Sequence, residues 1–196
     1  LNPNEDRLAF SCLCELDKQG NITDYKFAKT VIRSRVKGVY SEINSILAGS
    51  DDPELKEKYA EVSGQLPVIK ELADILYKNK KNRGCPELET SESKLIINDE
   101  DICVGVERRT RGRSEEIIED FMLVANECAA RFGMDNNLPF VYRIHEEPSD
   151  EKLESLREAL VKLNVQYKLG EKAAPADMSE ILKAAKGTDI DLIMNN

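Results

Sequence analysis

The feature that most constrains this chain is the stretch over residues 114–132. There Ile117, Ile118, Phe121, Met122, Leu123, Val124, Ala125, Cys128 and Ala129 follow one another at helical spacing and occupy nearly the whole circumference. A helix apolar all round belongs inside a fold, so other elements are expected to wrap it. Ser114 is predicted to cap it, with Glu115 and Glu116 in the first turn where negative charge complements the helix dipole.

The flanking segments alternate between two periods, and this predicts an α+β fold in which antiparallel hairpins and several helices pack around one buried central helix. Residues 7–17 place Leu8, Phe10, Cys12, Cys14 and Leu16 on one face, and the turn-forming Asp17-Lys18-Gln19-Gly20-Asn21 leads into a strand over 22–27. A helical stripe is predicted over 30–47 through Ile32, Val36, Val39, Tyr40, Ile43, Ile46 and Leu47, ended by Gly49. Asp52 and Pro53 form a cap and first-turn pair opening the stripe Leu55, Tyr59, Val62, Leu66, Ile69, Leu72 and Leu76, which Pro67 should kink or split. Residues 78–86 read as a basic loop. A second hairpin is expected over 94–97 and 102–106, a short strand over 140–143, a helix from Pro148-Ser149, a helix over 175–186 ended by Gly187, and a further element from Ile190.

Of the 196 residues, 41% are hydrophobic and 33% charged, the composition of a soluble globular chain. No apolar run reaches the roughly 18 residues that cross a bilayer, no secretory leader is visible, and cytoplasm is the default compartment. The five cysteines are odd in number, with no C-x2-C pair and only one histidine in the chain. They suit neither a zinc site nor a disulfide framework, and reduced, mostly buried thiols are expected. The net charge of −9 opposes an independent nucleic-acid module, because phosphate binding needs a basic surface. Nucleic-acid binding is compatible with it only if other parts of a larger protein line the path. Leu1 is not a methionine, and the first residues read as a turn entering a strand, as if cut from a longer chain.

The residues alone name no reaction, for there is no phosphate loop, nucleophile elbow or metal-ligand cluster. Glu119 and Asn126 share a face of the 114–132 helix with Met122 and Leu123 between them. A carboxylate buried there must be ion-paired, shifted in pKa or facing a cavity. The run Glu107-Arg108-Arg109-Thr110-Arg111-Gly112-Arg113 either touches phosphate or neutralises the acids after it, and solvated faces are the commoner use of such runs. Tyr40 is either a core tyrosine with a wet hydroxyl or a base-stacking platform.

Five ordered motifs carry a family resemblance. They are the opening Leu1-Asn2-Pro3-Asn4-Glu5-Asp6-Arg7-Leu8-Ala9; Val31-Ile32-Arg33-Ser34 with Val39-Tyr40; Arg83-Gly84 with residues 87–92 and Lys94; residues 118–126; and Tyr142-Arg143-Ile144-His145-Glu146-Glu147-Pro148. Together they resemble the catalytic (RNB) domain of bacterial ribonuclease II and ribonuclease R, with wording nearest ribonuclease R. The resemblance implies a magnesium-dependent exoribonuclease that digests single-stranded RNA processively from its 3′ end to nucleoside monophosphates. It further implies that residues 1–196 are part of that domain, with the metal-binding aspartates upstream and an arginine-rich SPIRRY segment downstream, so that the chain alone holds no Mg2+ and is inactive.

By the same resemblance Tyr40 positions the RNA 3′ end and Glu119 lies near the terminal nucleotide. Leu88 stands where relatives carry a phenylalanine that stacks on a terminal base, and leucine has no π face to offer. A domain cut through its core would leave the Leu8-Phe10-Cys12 face and the 117–132 helix partly uncovered, so self-association is expected. The alternative reading is a non-catalytic acidic interaction module descended from the same domain.

Overall fold

The computed structural model describes residues 2–86, 92–109, 111–144, 146–188 and 190, without the side chains of Glu92, Arg108 and Arg109. Leu88, His145 and the element expected beyond Ile190 lie outside the described residues. The chain divides into two compact units, residues 1–79 with 111–142, and residues 80–110 with 143–196. The mixed α+β class is the observed one.

In the first unit, β1 (Asp6–Leu16) and β2 (Ile22–Arg33) form an antiparallel hairpin with Cys12 opposite Phe27 and Leu8 opposite Val31. Its turn is held by Asp17, whose Oδ1 accepts from the Gln19 and Asn21 amides at 2.8 Å each, while Gly20 takes a φ of 82° that costs an L side chain strain. β2 continues six residues past the predicted strand, so the helix expected from residue 30 does not begin there. Thr30, Val31 and Ile32 are β-branched and pair with Ala9, Leu8 and Arg7, and ladder pairing overrides a stripe that helical spacing also fits.

The helix α1 (Tyr40–Leu47) is therefore short and has no fully buried residue. α2 (Pro53–Lys58) starts as expected, with Asp52 Oδ1 accepting from the Glu54 amide at 2.9 Å and Pro53 in the first turn. The stripe then splits through a 3-10 turn at Ser63–Gln65, and α3 (Leu66–Asn82) begins with Pro67 in its first turn, where a missing donor does no harm. Because α3 runs to Asn82, Lys78, Lys80 and Lys81 are helical, correcting the expected basic loop; cations in a last turn complement the helix dipole.

α4 (Arg113–Asp135) carries the hairpin and α1, but its burial is one-sided. Ile117, Asp120 and Cys128 are buried, whereas Ile118, Met122 and Leu123 are exposed, so the all-round burial read from its composition is not observed. On the covered side Phe27 meets Phe132 edge-on at 5.5 Å and Cys128 Sγ lies 3.8 Å from Cys14 Sγ. Leu8 and Phe10 of β1 remain exposed. Residues 140–142 form no strand, for no ladder partner stands beside them among the described residues; Phe140 and Tyr142 instead lie against Gly133, where a Cβ would fall 2.7 Å from the Tyr142 hydroxyl.

In the second unit, β3 (Glu92–Ile97) and β4 (Cys103–Arg109) form the second hairpin, its turn closed by Asn98 Oδ1 accepting from the Ile102 amide at 2.9 Å. α5 (Asp150–Lys162) is capped by Ser149, and α6 (Pro175–Ala185) starts at a proline. Leu153, Leu160, Val165, Leu169 and Ile181 make a shared core, with Leu156 and Leu163 packed against it. All five thiols are free, but only Cys128 is buried and Cys85 and Cys103 are exposed, so the expectation of mostly buried cysteines fails. Among the described residues no helix is long and apolar enough to cross a membrane.

Candidate nucleic-acid interface

The predicted residues Tyr40 and Glu119 lie on two helices that pack together, Tyr40 at the start of α1 and Glu119 in the second turn of α4. Gly112 occupies the N-cap of α4 and has no side-chain oxygen to satisfy the free amides of the first turn. Those amides find acceptors elsewhere. The Ser114 amide donates to Asn44 Oδ1 at 2.8 Å, and the Gly112 amide donates to Glu115 Oε2 at 3.1 Å. Asn44 Nδ2 donates to the same Glu115 oxygen at 3.0 Å. Ser114, expected to be the cap, instead points its hydroxyl to the Tyr40 carbonyl at 3.1 Å.

Burial pushes the Glu115 carboxyl up, but the donors from Asn44, its own backbone, Ser114 and Gly112 outweigh burial and hold it below the ordinary glutamate range. On the other side of α1, the Val39 amide donates to the hydroxyl of Tyr59, a fully buried ring, and that hydroxyl donates to Glu42. The main chain around Tyr40 is thus tied from two directions, while its side chain stays 44% exposed.

Glu119 lies one helical turn beyond Glu115 on the same side of α4. Its carboxylate is half-exposed and accepts from Arg111 Nη1 at 3.4 Å, so it is not the buried acid that the helix pattern suggests. The buried carboxylate is the next residue, Asp120, since one step along a helix turns a side chain by about 100°. Asn126 shares the Glu119 face, with Met122 and Leu123 exposed between them. Arg113 is committed to Asp74 at 2.5 Å and Glu116 at 2.9 Å, so this arginine and Arg111 neutralise neighbouring acids, the commoner of the two uses read for the basic run.

Asn44 and Gly112 were not legible as site residues. The available signal was a glycine where a capping side chain belongs, which requires an acceptor from another element. Among the described residues no group of three or more His, Cys, Asp or Glu side chains could hold a metal ion, so this donor set does not fit a magnesium centre.

The chain matches the RNB domain over residues 1–195. It is 36% identical over 154 residues to Ribonuclease R 1 of Lactococcus lactis subsp. lactis, covering 79% of this chain and 19% of that protein. To Ribonuclease R of Escherichia coli it is 34% identical over 184 residues, covering 94% of this chain and 22% of that protein. The chain therefore spans less than a quarter of the length of these relatives. In structure it resembles the apo form of Mycoplasma genitalium RNase R at a TM-score of 0.90 and 25% identity, over 100% of this chain and 30% of that one. It also resembles that enzyme in complex with ribose methylated single-stranded RNA, at a TM-score of 0.88 over 99% of this chain and 30% of that one. The five ordered motifs and the match over nearly every residue agree, and the chain belongs to the RNB domain family.

Proposed function

We propose that this chain is part of the catalytic domain of a cytoplasmic, magnesium-dependent 3′→5′ exoribonuclease that hydrolyses single-stranded RNA processively to nucleoside monophosphates. Tyr40 positions the RNA 3′ end, Glu119 lies near the terminal nucleotide, and Leu88 takes the sequence position at which relatives carry a base-stacking phenylalanine. The observation that supports this most directly is the likeness over almost the whole chain to an RNase R in complex with single-stranded RNA.

The chemistry of the junction agrees with an RNA end. A tyrosine ring offers a sequence-tolerant face for a base or ribose, and a carboxylate accepts hydrogen bonds from the ribose hydroxyls. Magnesium, in this reading, is held by aspartates outside residues 1–196, and the chain alone is inactive. Its RNA affinity is weak and falls steeply with salt, because its basic residues act against a net charge of −9. The exposed Leu8 and Phe10 face favours self-association, which light scattering over a concentration series would detect.

Incubating the chain with labelled poly(A) and magnesium should release no mononucleotide, and stepwise release would refute its inactivity. In the full-length protein, Glu119→Ala should slow removal of the last nucleotides. Stability should change little, since an exposed ion pair contributes about 0–1 kcal/mol. A large loss of stability with normal cleavage by the folded fraction would assign Glu119 to structure.

A further inference from the structure

We propose that Asn44, acting with Ser114, is a positioning residue that fixes Tyr40 for its contact with the RNA end; the inference rests on the reading of Tyr40 above. An isolated helix of eight residues is too short to hold itself in water, and α1 has no fully buried side chain to anchor it. Polar bonds to α4 therefore contribute an unusual share of its placement. Asn44 lies one turn after Tyr40 and on the same side of α1. Its amide bridges the Ser114 backbone and the Glu115 carboxylate, while the Ser114 hydroxyl holds the Tyr40 carbonyl.

Gly112 completes the arrangement. A Cβ built there would fall 2.7 Å from Asn44 Oδ1 and closer still to its Nδ2, so the absence of a side chain is what admits the Asn44 amide. The consequence is a half-exposed tyrosine whose main chain is tied to α4. A preorganised ring loses less freedom when a base stacks on it.

The test uses the full-length protein and a short single-stranded RNA, with KM, kcat and melting temperature measured for each variant. Tyr40→Ala should raise KM about tenfold, as loss of one stacking platform does. Asn44→Ala and Ser114→Ala should each raise KM with kcat unchanged, Ser114→Ala about threefold to fivefold, the scale of one lost hydrogen bond, and Asn44→Ala by more, because it loses two. In a Tyr40→Ala background, adding Asn44→Ala should change KM less than about twofold, because a residue acting through Tyr40 has nothing left to position. Full additivity, or equal falls in kcat that track the folded fraction, would overturn the proposal and leave the Tyr40 reading intact. An unchanged KM in Tyr40→Ala would overturn that reading and this inference with it. Should Asn44→Ala fail to fold, Ser114→Ala decides the matter, because it deletes one hydroxyl and puts a good helix former in its place.

Discussion

Gly112→Ala isolates the α1–α4 junction with a single methyl group. The backbone there has φ −107° and ψ 179°, which alanine adopts without strain, so the change acts only through space. The new Cβ would overlap the Asn44 amide. That amide is the end of a flexible side chain and can rotate away, so the cost is what it gives up rather than the collision itself. It gives up the 2.8 Å bond from the Ser114 amide and the 3.0 Å bond to the Glu115 carboxylate. A neutral bond contributes about 0.5–1.5 kcal/mol and one to a charged group about 1.5–3 kcal/mol, so the expected loss is about 2–4 kcal/mol. Urea denaturation of the full-length protein would show this as a lower midpoint at an unchanged slope. With Asn44→Ala already present the obstacle is gone, and adding Gly112→Ala should then cost about 1 kcal/mol or less, the residual N-cap preference of glycine over alanine. A neutral Gly112→Ala, or a full second loss in the Asn44→Ala background, would refute the assignment of this junction to the Asn44 bridge.

Tyr59→Phe removes the hydroxyl that joins the Val39 amide to Glu42 and should destabilise by about 1–2 kcal/mol, read as a lower urea midpoint. Acid should weaken the first unit. Glu42 is held below the ordinary range by Lys58 and then Tyr59, and Glu115 is held there by its donors despite burial. A depressed folded-state pKa stabilises the fold above the unfolded value of 4.5, and that stabilisation disappears as pH falls through the folded value, so Glu115→Gln should flatten the decline seen below pH 4.5. Alkylation read by mass spectrometry should label Cys85 and Cys103 in the native protein and Cys128 only on unfolding; early labelling of Cys128 would contradict its burial, which also raises its thiol pKa.

The features legible in the sequence are those whose causes act over a few residues. Asp52 and Pro53 start α2 because a carboxylate and a proline suit the first turn whatever lies beyond. Asp17 and Gly20 close the first hairpin, Asn98 closes the second, and the Leu153, Leu160 stripe turns inward as its spacing predicts. The motifs singled out Tyr40 and Glu119 separately, and the structure packs the helices that carry them, α1 and α4, against each other. The readings that failed are those where a distant neighbour decides. Thr30, Val31 and Ile32 satisfy both a helical and a strand period, and pairing with Arg7, Leu8 and Ala9 selects the strand. Residues 140–142 carry strand formers but meet no ladder, and Gly133 receives them instead.

By itself the sequence determined the family, the α+β class and the starts of α2, α5 and α6, because caps, turns and hydrophobic periods are local and the ordered motifs survive without coordinates. Only the tertiary structure decided which side of α4 is covered, and hence that Asp120 is buried while Glu119 is open. It also decided that the first turn of α4 is capped by Asn44, 70 residues away, and not by its own Ser114. A free amide accepts any oxygen that packing brings within about 3 Å. Which oxygen arrives depends on the fold of the intervening chain, and no rule of local spacing contains that information.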